Sequence, residues 1–209
     1  MTPEDIEARF DVSRETVARL EGYVARLTTW NRRINLVSPQ SLNEVWSRHV
    51  LDSGQLLRLA PESARRWWDL GSGGGLPALI VAILARDLRP TLDVTAVESD
   101  ARKCAFLIET ARALEVPLTV KRSRIEDLRG PVADVLSARA LAPLDTLLTY
   151  ANQLLCEGGV AIFPKGATAE RELTDASRRW QYAVTRLESG TDDRATILRF
   201  TEIQCAGRD

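Results

Sequence analysis

The stretch that decides the fold is Trp67–Ile83, WWDLGSGGGLPALIVAI, in which four glycines occupy five positions between two apolar runs. The first run has the length and composition of a buried strand, and the second is long enough for a helix. Glycine adopts positive φ without steric cost, so the glycines predict a sharp turn from strand to helix. In open α/β sheets such a turn lies at the carboxyl end of the strand, beside the ligand crevice. The stretch therefore predicts a nucleotide-like ligand held against bare backbone.

The 209 residues divide at about residue 64 into a helical part and an alternating part. Residues 1–64 carry apolar side chains at helical spacing, which predicts an N-terminal helical subdomain. In residues 65–209, short apolar runs alternate with longer helical ones, which predicts a mostly parallel seven-stranded sheet of the Rossmann-like α/β class. The predicted strands lie near 67–70, 92–97, 117–121, 133–138, 159–164, 181–187 and 195–202, and the predicted helices near 77–88, 100–114, 143–155 and 168–179.

Helix start signals refine the first part. Thr2 predicts the capped start of the first helix. A Ser-Pro pair at 38–39 interrupts the helical pattern. Ser41 with Glu44 then predicts a capping box that opens a helix reaching about Leu59.

Composition restricts the classes of protein and of site. The net charge is -1, so any basic surface for nucleic acid has to be local. Cys104, Cys156 and Cys205 are far apart and form no C-x-x-C, which favours reduced thiols over disulfides or zinc. His49 is the only histidine, which excludes a metal site built from several histidines. The most apolar run, Leu76–Leu84, is too short to cross a bilayer. We therefore expect a cytoplasmic monomer without a metal or a membrane partner.

The glycine loop departs from the dinucleotide fingerprint G-x-G-x-x-G. Gly71 and Gly73 match its first two glycines, whereas Leu76 stands at the third. A loop of this kind, with Gly75 as a further flexible position, favours a nucleoside without a pyrophosphate. Asp69 adds a carboxylate that suits a neighbouring cation or amine. The alternative, a tight turn without a ligand, rarely needs four glycines.

Acidic side chains follow the second and third strands. Nucleotide folds place an acid that binds the ribose hydroxyls about 20 residues after such a loop. Glu98, followed by Ser99, lies slightly farther along the chain than this. The alternative for Glu98 is a surface acid that caps the next helix. After the third strand, Ile125 is suited to packing on adenine, and Glu126 or Asp127 to accepting a hydrogen bond from its amine. A phosphate-free nucleoside with a ribose and a nearby cation describes S-adenosylmethionine, and this order of parts resembles the class I methyltransferases.

Motifs outside the loop make the resemblance closer. They are Asn35-Leu36, Arg48-His49-x-x-Asp52-Ser53, Asp69-x-Gly71-x-Gly73-x-Gly75-x-Pro77, Glu98-Ser99 with Lys103 and Phe106-Leu107, Ser137-x-Arg139-Ala140 and Lys165-Gly166. In this order, over nearly the whole chain, they resemble the bacterial small-subunit rRNA guanine-N7 methyltransferases, the glucose-inhibited division protein B family. The resemblance implies methyl transfer from S-adenosylmethionine to N7 of one guanine in 16S rRNA, either naked or in small-subunit particles.

The resemblance also implies roles for individual residues. It implies cofactor contacts at the positions of Gly71, Leu76, Ile125, Glu126 and Arg139, with Glu98 in the ribose position. It favours a substrate-side role for Asn35, Arg48, His49, Asp52, Ser53, Arg139 and Lys165. From the residues alone, the polar group in the helical part is equally well explained as a capping and salt-bridge network. The alternative for Arg139 is an ion pair with Asp134 or Glu126.

The chemistry of guanine N7 needs few catalytic groups. N7 presents a lone pair, so in-line attack on the methyl group requires no base to remove a proton. Candidates for electrostatic assistance are Asp69, Asp52 and Arg139. Two alternatives stay open: a methyltransferase that acts on a small molecule or a protein, and a nicotinamide-binding protein or nucleotide sensor.

Basic pairs are the remaining indication of an RNA partner. They are Arg32-Arg33, Arg65-Arg66, Arg102-Lys103, Lys121-Arg122 with Arg124, and Arg178-Arg179. Most such pairs are solvated faces of the protein. Those near the carboxyl ends of strands are predicted to contact phosphate, because the substrate has to enter beside the cofactor.

Overall fold

Helices form the N-terminal part of the chain, as the apolar spacing predicts. The computed structural model describes residues 1–192 and 195–206. This part contains α1 (Pro3–Phe10), α2 (Arg14–Asn31), α3 (Pro39–Leu42), a π-helix (Trp46–Leu51), α4 (Asp52–Gly54) and a 3₁₀ helix (Gln55–Leu59). The predicted cap at Thr2 is confirmed, since its hydroxyl accepts from the amide of Asp5 and its own amide donates to the Asp5 carboxylate.

The predicted helix from Ser41 to Leu59 is wrong. The cap is Ser38, whose hydroxyl accepts from the amide of Ser41, and the chain then changes helix type three times. Ser41 instead contacts His49, and Glu44 pairs with a side chain one turn later. The middle element is a π-helix, a rare form that is frequent at functional sites.

A seven-stranded sheet forms the rest of the molecule, which confirms the predicted fold. Its strands are β1 (Arg66–Leu70), β2 (Asp93–Glu98), β3 (Thr119–Arg122), β4 (Ala133–Ala138), β5 (Leu155–Lys165), β6 (Trp180–Glu188) and β7 (Thr196–Cys205). Their order is β3-β2-β1-β4-β5-β7-β6, and only β7 runs antiparallel to its neighbours. The covering helices are α5 (Ala78–Leu88), α6 (Ala101–Ala113), α7 (Leu144–Leu154) and α8 (Ala169–Ala176), with a 3₁₀ turn at Ile125–Asp127.

Two apolar clusters cover the two faces of the sheet. One contains Trp67 and helix α5 together with Leu20 and Leu27 of α2, and the other contains Leu136 and helix α7. The helical part therefore shares one core with the sheet, and the division at residue 64 stays a prediction. In the described part of the chain, no helix is long and apolar enough to cross a membrane.

The strand order places the predicted ligand loop. The crossover after β1 runs to β2 on one side, while β4 pairs with β1 on the other. Ligands bind in open α/β sheets where the direction of winding changes in this way. The carboxyl ends of β1, β2 and β4 therefore converge on one site.

Candidate active site

Two cavities lie at this edge of the sheet and share Gly71, Lys103 and Ala140. The larger, about 490 Å³, is otherwise lined by Leu36, Val37, Ser38, Ser41, Arg48, His49, Asp52, Ser72, Gly73, Gly74, Leu76, Arg139, Thr191, Asp192 and Ala195. The smaller, about 350 Å³, is otherwise lined by Val97, Glu98, Ser99, Ser123, Arg124, Ile125, Glu126 and Leu141. Both volumes fall in the range of small-molecule sites. Among the described residues, no three His, Cys, Asp or Glu side chains lie close enough to hold a metal ion.

The glycine loop connects β1 to α5, as predicted. Gly71, Gly73 and Gly75 have φ angles of +65°, +53° and +79°, which residues other than glycine rarely adopt. A Cβ on Gly75 would lie 2.5 Å from Leu79, and a Cβ on Gly71 would lie 2.6 Å from Leu141. Both the turn and the space around it therefore require glycine.

Glu98 is built into the glycine loop. Its Oε2 accepts from the amide of Gly73 at 3.0 Å, and its Oε1 accepts from the amides of Ser99 and Asp100 at 2.8 and 2.9 Å. Asp100, and not Glu98, caps α6. Glu98 is 7% exposed and lines the smaller cavity. Its predicted contact with a ribose stays a prediction, and the structure adds a role in holding the loop.

The turn after β3 supplies the other wall of the smaller cavity. Ile125 is half-buried there beside the exposed Glu126, whereas Asp127 does not line the cavity. The Tyr150 hydroxyl donates to Glu126 at 2.7 Å, and this hydrogen bond holds the pKa of Glu126 below its usual value. Of the two acids predicted to contact adenine, Glu126 is therefore the one in position.

Arg139, after β4, joins the sheet to the helical part. Its Nη2 donates to the carbonyl of Arg48 and to His49 Nδ1, both at 3.0 Å, and its Nε lies 3.6 Å from Asp52 Oδ2. The alternative ion pairs with Asp134 or Glu126 are therefore wrong. Asp134 lies at the start of β4, at the opposite end of the strand from Arg139, and pairs instead with Arg66. Nη1 of Arg139 is buried and has no partner among the described residues.

His49 has a fixed tautomer in this arrangement. Arginine can only donate, so Nδ1 of His49 accepts and Nε2 carries the proton. Nε2 donates to Ser41 Oγ at 2.9 Å, and Ser41 donates to the carbonyl of Ser38 at 2.7 Å. Burial and the charge of Arg139 lower the pKa of His49 to about 4. His49 is therefore neutral near pH 7, and the lone pair of its Nδ1 accepts the hydrogen bond from Arg139.

Asp52 connects this group to the loop between β6 and β7. Its Oδ1 accepts from Gln55 and Thr191 at 3.1 Å and from Ser189 at 3.4 Å. Both carboxylate oxygens of Asp52 are thus engaged, one with the hairpin and one with Arg139. The structure brings together Arg48, His49, Asp52 and Arg139 of the predicted substrate-side set, and the salt-bridge alternative describes the same contacts.

Four residues predicted to contact a ligand lie outside both cavities, and their ligand contacts stay predictions. Asp69 and Ser53 are fully buried, Lys165 donates to Glu172 at 2.8 Å and to a backbone carbonyl, and Asn35 is exposed. The position of a polar residue in the sequence does not tell where its side chain points, because tertiary packing decides that direction.

Asp69 is instead part of a buried chain of hydrogen bonds. Trp67 Nε1 donates to Ser137 Oγ at 2.9 Å, and Ser137 donates to Asp69 Oδ1 at 2.7 Å. The other oxygen, Oδ2, is buried without a hydrogen bond of normal geometry. Burial raises the pKa of Asp69 to about 7 and outweighs the lowering effect of hydrogen bonds from Ser72, Ser137 and Ala78.

This pKa predicts a pH-dependent stability that Asp69→Asn removes. The folded pKa is raised from an unfolded value of about 4, so stability from protonated Asp69 is complete below about pH 4 and is lost as pH rises through about 7. Asparagine keeps an acceptor for Ser137 but does not titrate. In urea unfolding at pH 5 to 8, wild-type stability is expected to fall more than that of D69N. Parallel curves for the two proteins would contradict the assignment.

Several site residues escape sequence reasoning. Asn31 is one, because its Oδ1 accepts from the amides of Leu36 and Val37 at 2.8 and 3.0 Å and so shapes the wall of the larger cavity. Ser41 and Thr191 are others, which line the larger cavity and form hydrogen bonds with His49 and Asp52. The one available signal was an asparagine at the end of a helix, a position where its side chain commonly binds nearby backbone.

A known protein family and several of its members match most of this chain. The family described as GidB, rRNA small subunit methyltransferase G, matches residues 16–195. Proteins named ribosomal RNA small subunit methyltransferase G are similar over nearly the full length. The one from Ruegeria sp. is 48% identical over 194 residues, 93% of this chain and 94% of that protein. The one from Paramagnetospirillum magneticum is 47% identical over 203 residues, 97% of each chain.

Solved structures agree on the fold. TYW2 from P. horikoshii, in complex with MeSAdo, is 14% identical, with a TM-score of 0.54 over 78% of this chain and 62% of that one. The N-methyltransferase NodS from Bradyrhizobium japonicum is 15% identical, with a TM-score of 0.52 over 71% and 92%. At such identities the likeness shows the Rossmann-like methyltransferase fold alone. The match along residues 16–195 goes further, and by it the chain belongs to the rRNA small subunit methyltransferase G family.

Proposed function

We propose that this chain transfers the methyl group of S-adenosylmethionine to N7 of one guanine in small-subunit ribosomal RNA. The observation that carries the proposal is the pair of cavities that meet at Gly71, Lys103 and Ala140. The smaller has the features of a nucleoside site, and residues of the helical part line one side of the larger. Two reactants that meet at a shared wall satisfy the proximity that methyl transfer requires.

The residues present fit the cofactor. Glu98 offers a carboxylate for the ribose hydroxyls and Ile125 an apolar surface for adenine. The amide of Gly74 and Nη1 of Arg139 donate to no described residue, and donors of this kind suit the carboxylate of the methionine portion. When bound, the cofactor supplies an electrophilic methyl group on a sulfonium.

The state of His49 supports N7 as the acceptor atom. His49 is the residue in the larger cavity best suited to act as a general base, yet Arg139 occupies its lone pair. Burial keeps the ring neutral, with a pKa of about 4. A reaction at guanine N7 removes no proton before attack, so this arrangement meets its needs. Asp52 and Arg139 act by fixing the wall of the cavity.

Apolar and basic surfaces at the mouth suit an unpaired guanine. Leu36, Val37 and Leu76 form an apolar wall against which a splayed base can pack. Arg32 and Arg33 are exposed just before this wall and form no ion pair within residues 1–192 and 195–206.

Further cations continue this surface, and the remaining basic pairs are engaged elsewhere. Lys103 and Arg124 line the cavities, next to Lys121 and Arg122 at the end of the edge strand. We place RNA phosphates on these residues. The remaining basic residues Arg66, Arg102, Arg178 and Arg179 are paired with acids. Arg65 precedes the amino end of β1, opposite the strand ends that carry the cavities.

The decisive experiment maps N7-methylguanine in small-subunit rRNA from cells with and without the gene. We expect one modified guanine to disappear in its absence. Purified protein is expected to restore it with S-adenosylmethionine on either naked rRNA or small-subunit particles, and that comparison identifies the substrate form. We further place the enzyme in the cytoplasm and assign the activity to a monomer, since one chain supplies the walls of both cavities.

Two outcomes separate the rival functions. An unchanged modification map together with methylation of free nucleosides would favour a small-molecule methyltransferase. Tight binding of NAD, with no binding of S-adenosylhomocysteine in calorimetry, would overturn the cofactor as well. Either result leaves the fold unaffected.

A further inference from the structure

Tyr23 brings a polar group into the core between the helices and the sheet. It is fully buried on α2, on the same apolar stripe as Leu20 and Leu27. Its hydroxyl donates to the carbonyl oxygen of Gly74, with 2.7 Å between the oxygens. A buried tyrosine hydroxyl requires a partner because an unpaired one is costly. Here the partner is the backbone of the glycine loop.

Gly74 is held on several sides. A Cβ at this residue would lie 3.3 Å from Leu27 and 3.4 Å from Leu36, so the loop is pressed against the helical part. The peptide between Gly74 and Gly75 is fixed at both ends, since Tyr23 binds its carbonyl and its N–H donates to Ser72 at 2.7 Å. The helical part therefore sets the conformation of the loop.

The other side of Gly74 faces the site. Gly74 lines the larger cavity, and its amide donates to no described residue. Tyr23 itself lines neither cavity. The hydroxyl of Tyr23 thus acts on a ligand only by holding the backbone that the ligand contacts.

We propose that Tyr23 is a positioning residue for S-adenosylmethionine, which acts by fixing Gly74 in the conformation that binds the cofactor. This inference rests on the cofactor site proposed above but is independent of the acceptor base. The consequence is that the helical part contributes to cofactor affinity as well as to the wall of the acceptor cavity.

Tyr23→Phe tests the proposal. Phenylalanine fills nearly the same volume but leaves the Gly74 carbonyl without its partner. We expect the Kd for S-adenosylhomocysteine and the KM for S-adenosylmethionine to rise about tenfold. The kcat at saturating cofactor is expected to change less than about twofold, because lost uniform binding raises KM alone.

Tyr182→Phe is the matched control. The Tyr182 hydroxyl also donates to a backbone carbonyl, that of Leu173 at 3.2 Å, but on β6, away from the cavities. We expect Y182F to retain the wild-type Kd and KM even if its Tm falls as far as that of Y23F. Equal Kd values for Y23F and Y182F would overturn the inference.

Amide hydrogen exchange at residues 71–76 keeps the two proposals apart. In wild type, S-adenosylhomocysteine is expected to slow exchange in this segment, and failure there would overturn the cofactor site itself. In unliganded Y23F, exchange in the segment is expected to be faster than in wild type and Y182F. Unchanged exchange in Y23F, with normal protection in wild type, would overturn only the role of Tyr23.

Discussion

Arg139→Lys is expected to lower kcat/KM for methyl transfer about 100-fold while the protein remains folded. Lysine keeps the charge that faces Asp52, so the half-buried carboxylate of Asp52 is not left without a cation. It cannot reproduce the planar fork that reaches Asp52, the Arg48 carbonyl and His49 at once. Two charge-assisted hydrogen bonds at about 1.5 kcal/mol each account for the factor. Steady-state kinetics on small-subunit particles measure it.

Arg89→Lys is the matched control for this result. The Arg89 guanidinium also donates to backbone carbonyls, those of Pro61 and Glu62, but lines neither of the two site cavities. Its replacement is expected to affect Tm and to leave kcat/KM within about twofold. R139K with wild-type kcat/KM would show that the hydrogen bonds of Arg139 to the Arg48 carbonyl and to His49 have no part in the reaction.

Most of the sheet could be predicted because burial on both faces leaves strands as short apolar runs. Strand β1, which contains Trp67, and the apolar helix α5 after the glycines are examples. The first residue of each differs from the predicted one by one position. The segment after Ser38 could not be predicted, because its π-helical and 3₁₀ turns follow contacts made far along the chain. Ser189 and Thr191, which bind Asp52, are such contacts.

The candidate site was predictable where backbone geometry carries the function. The glycine loop and Glu98 follow from strand order, and both line the cavities. The direction of a side chain could not be predicted from the sequence. Asp69 at the end of β1 has its side chain fully buried, although the residue adjoins the loop. Tyr23 reads as an ordinary core residue, and its only distinguishing feature is a hydroxyl on an apolar stripe.

Glu98→Gln is expected to raise the Kd for S-adenosylhomocysteine, which has the same adenosine portion as the cofactor, about 100-fold. If the glutamine oxygen keeps the amides of Ser99 and Asp100, its NH₂ group faces the amide of Gly73, and two donors then oppose each other at a residue that is only 7% exposed. The loop loses the acceptor that fixes Gly73. The proposed ribose site loses a charged acceptor at the same time, and each loss costs about 1.5 kcal/mol. Calorimetry with S-adenosylhomocysteine measures the change in the absence of RNA.

Glu109→Gln provides the control, because Glu109 is an exposed acid on α6 outside both cavities. Its loss changes the net charge by the same amount as E98Q and is expected to leave the Kd within about twofold. Glu98→Ala tests the opposed donors, since alanine removes the acceptor without placing a donor against Gly73. A smaller loss in E98A than in E98Q shows that the opposed donors in the loop contribute to the effect of E98Q. Wild-type affinity in both variants would remove Glu98 from the cofactor site.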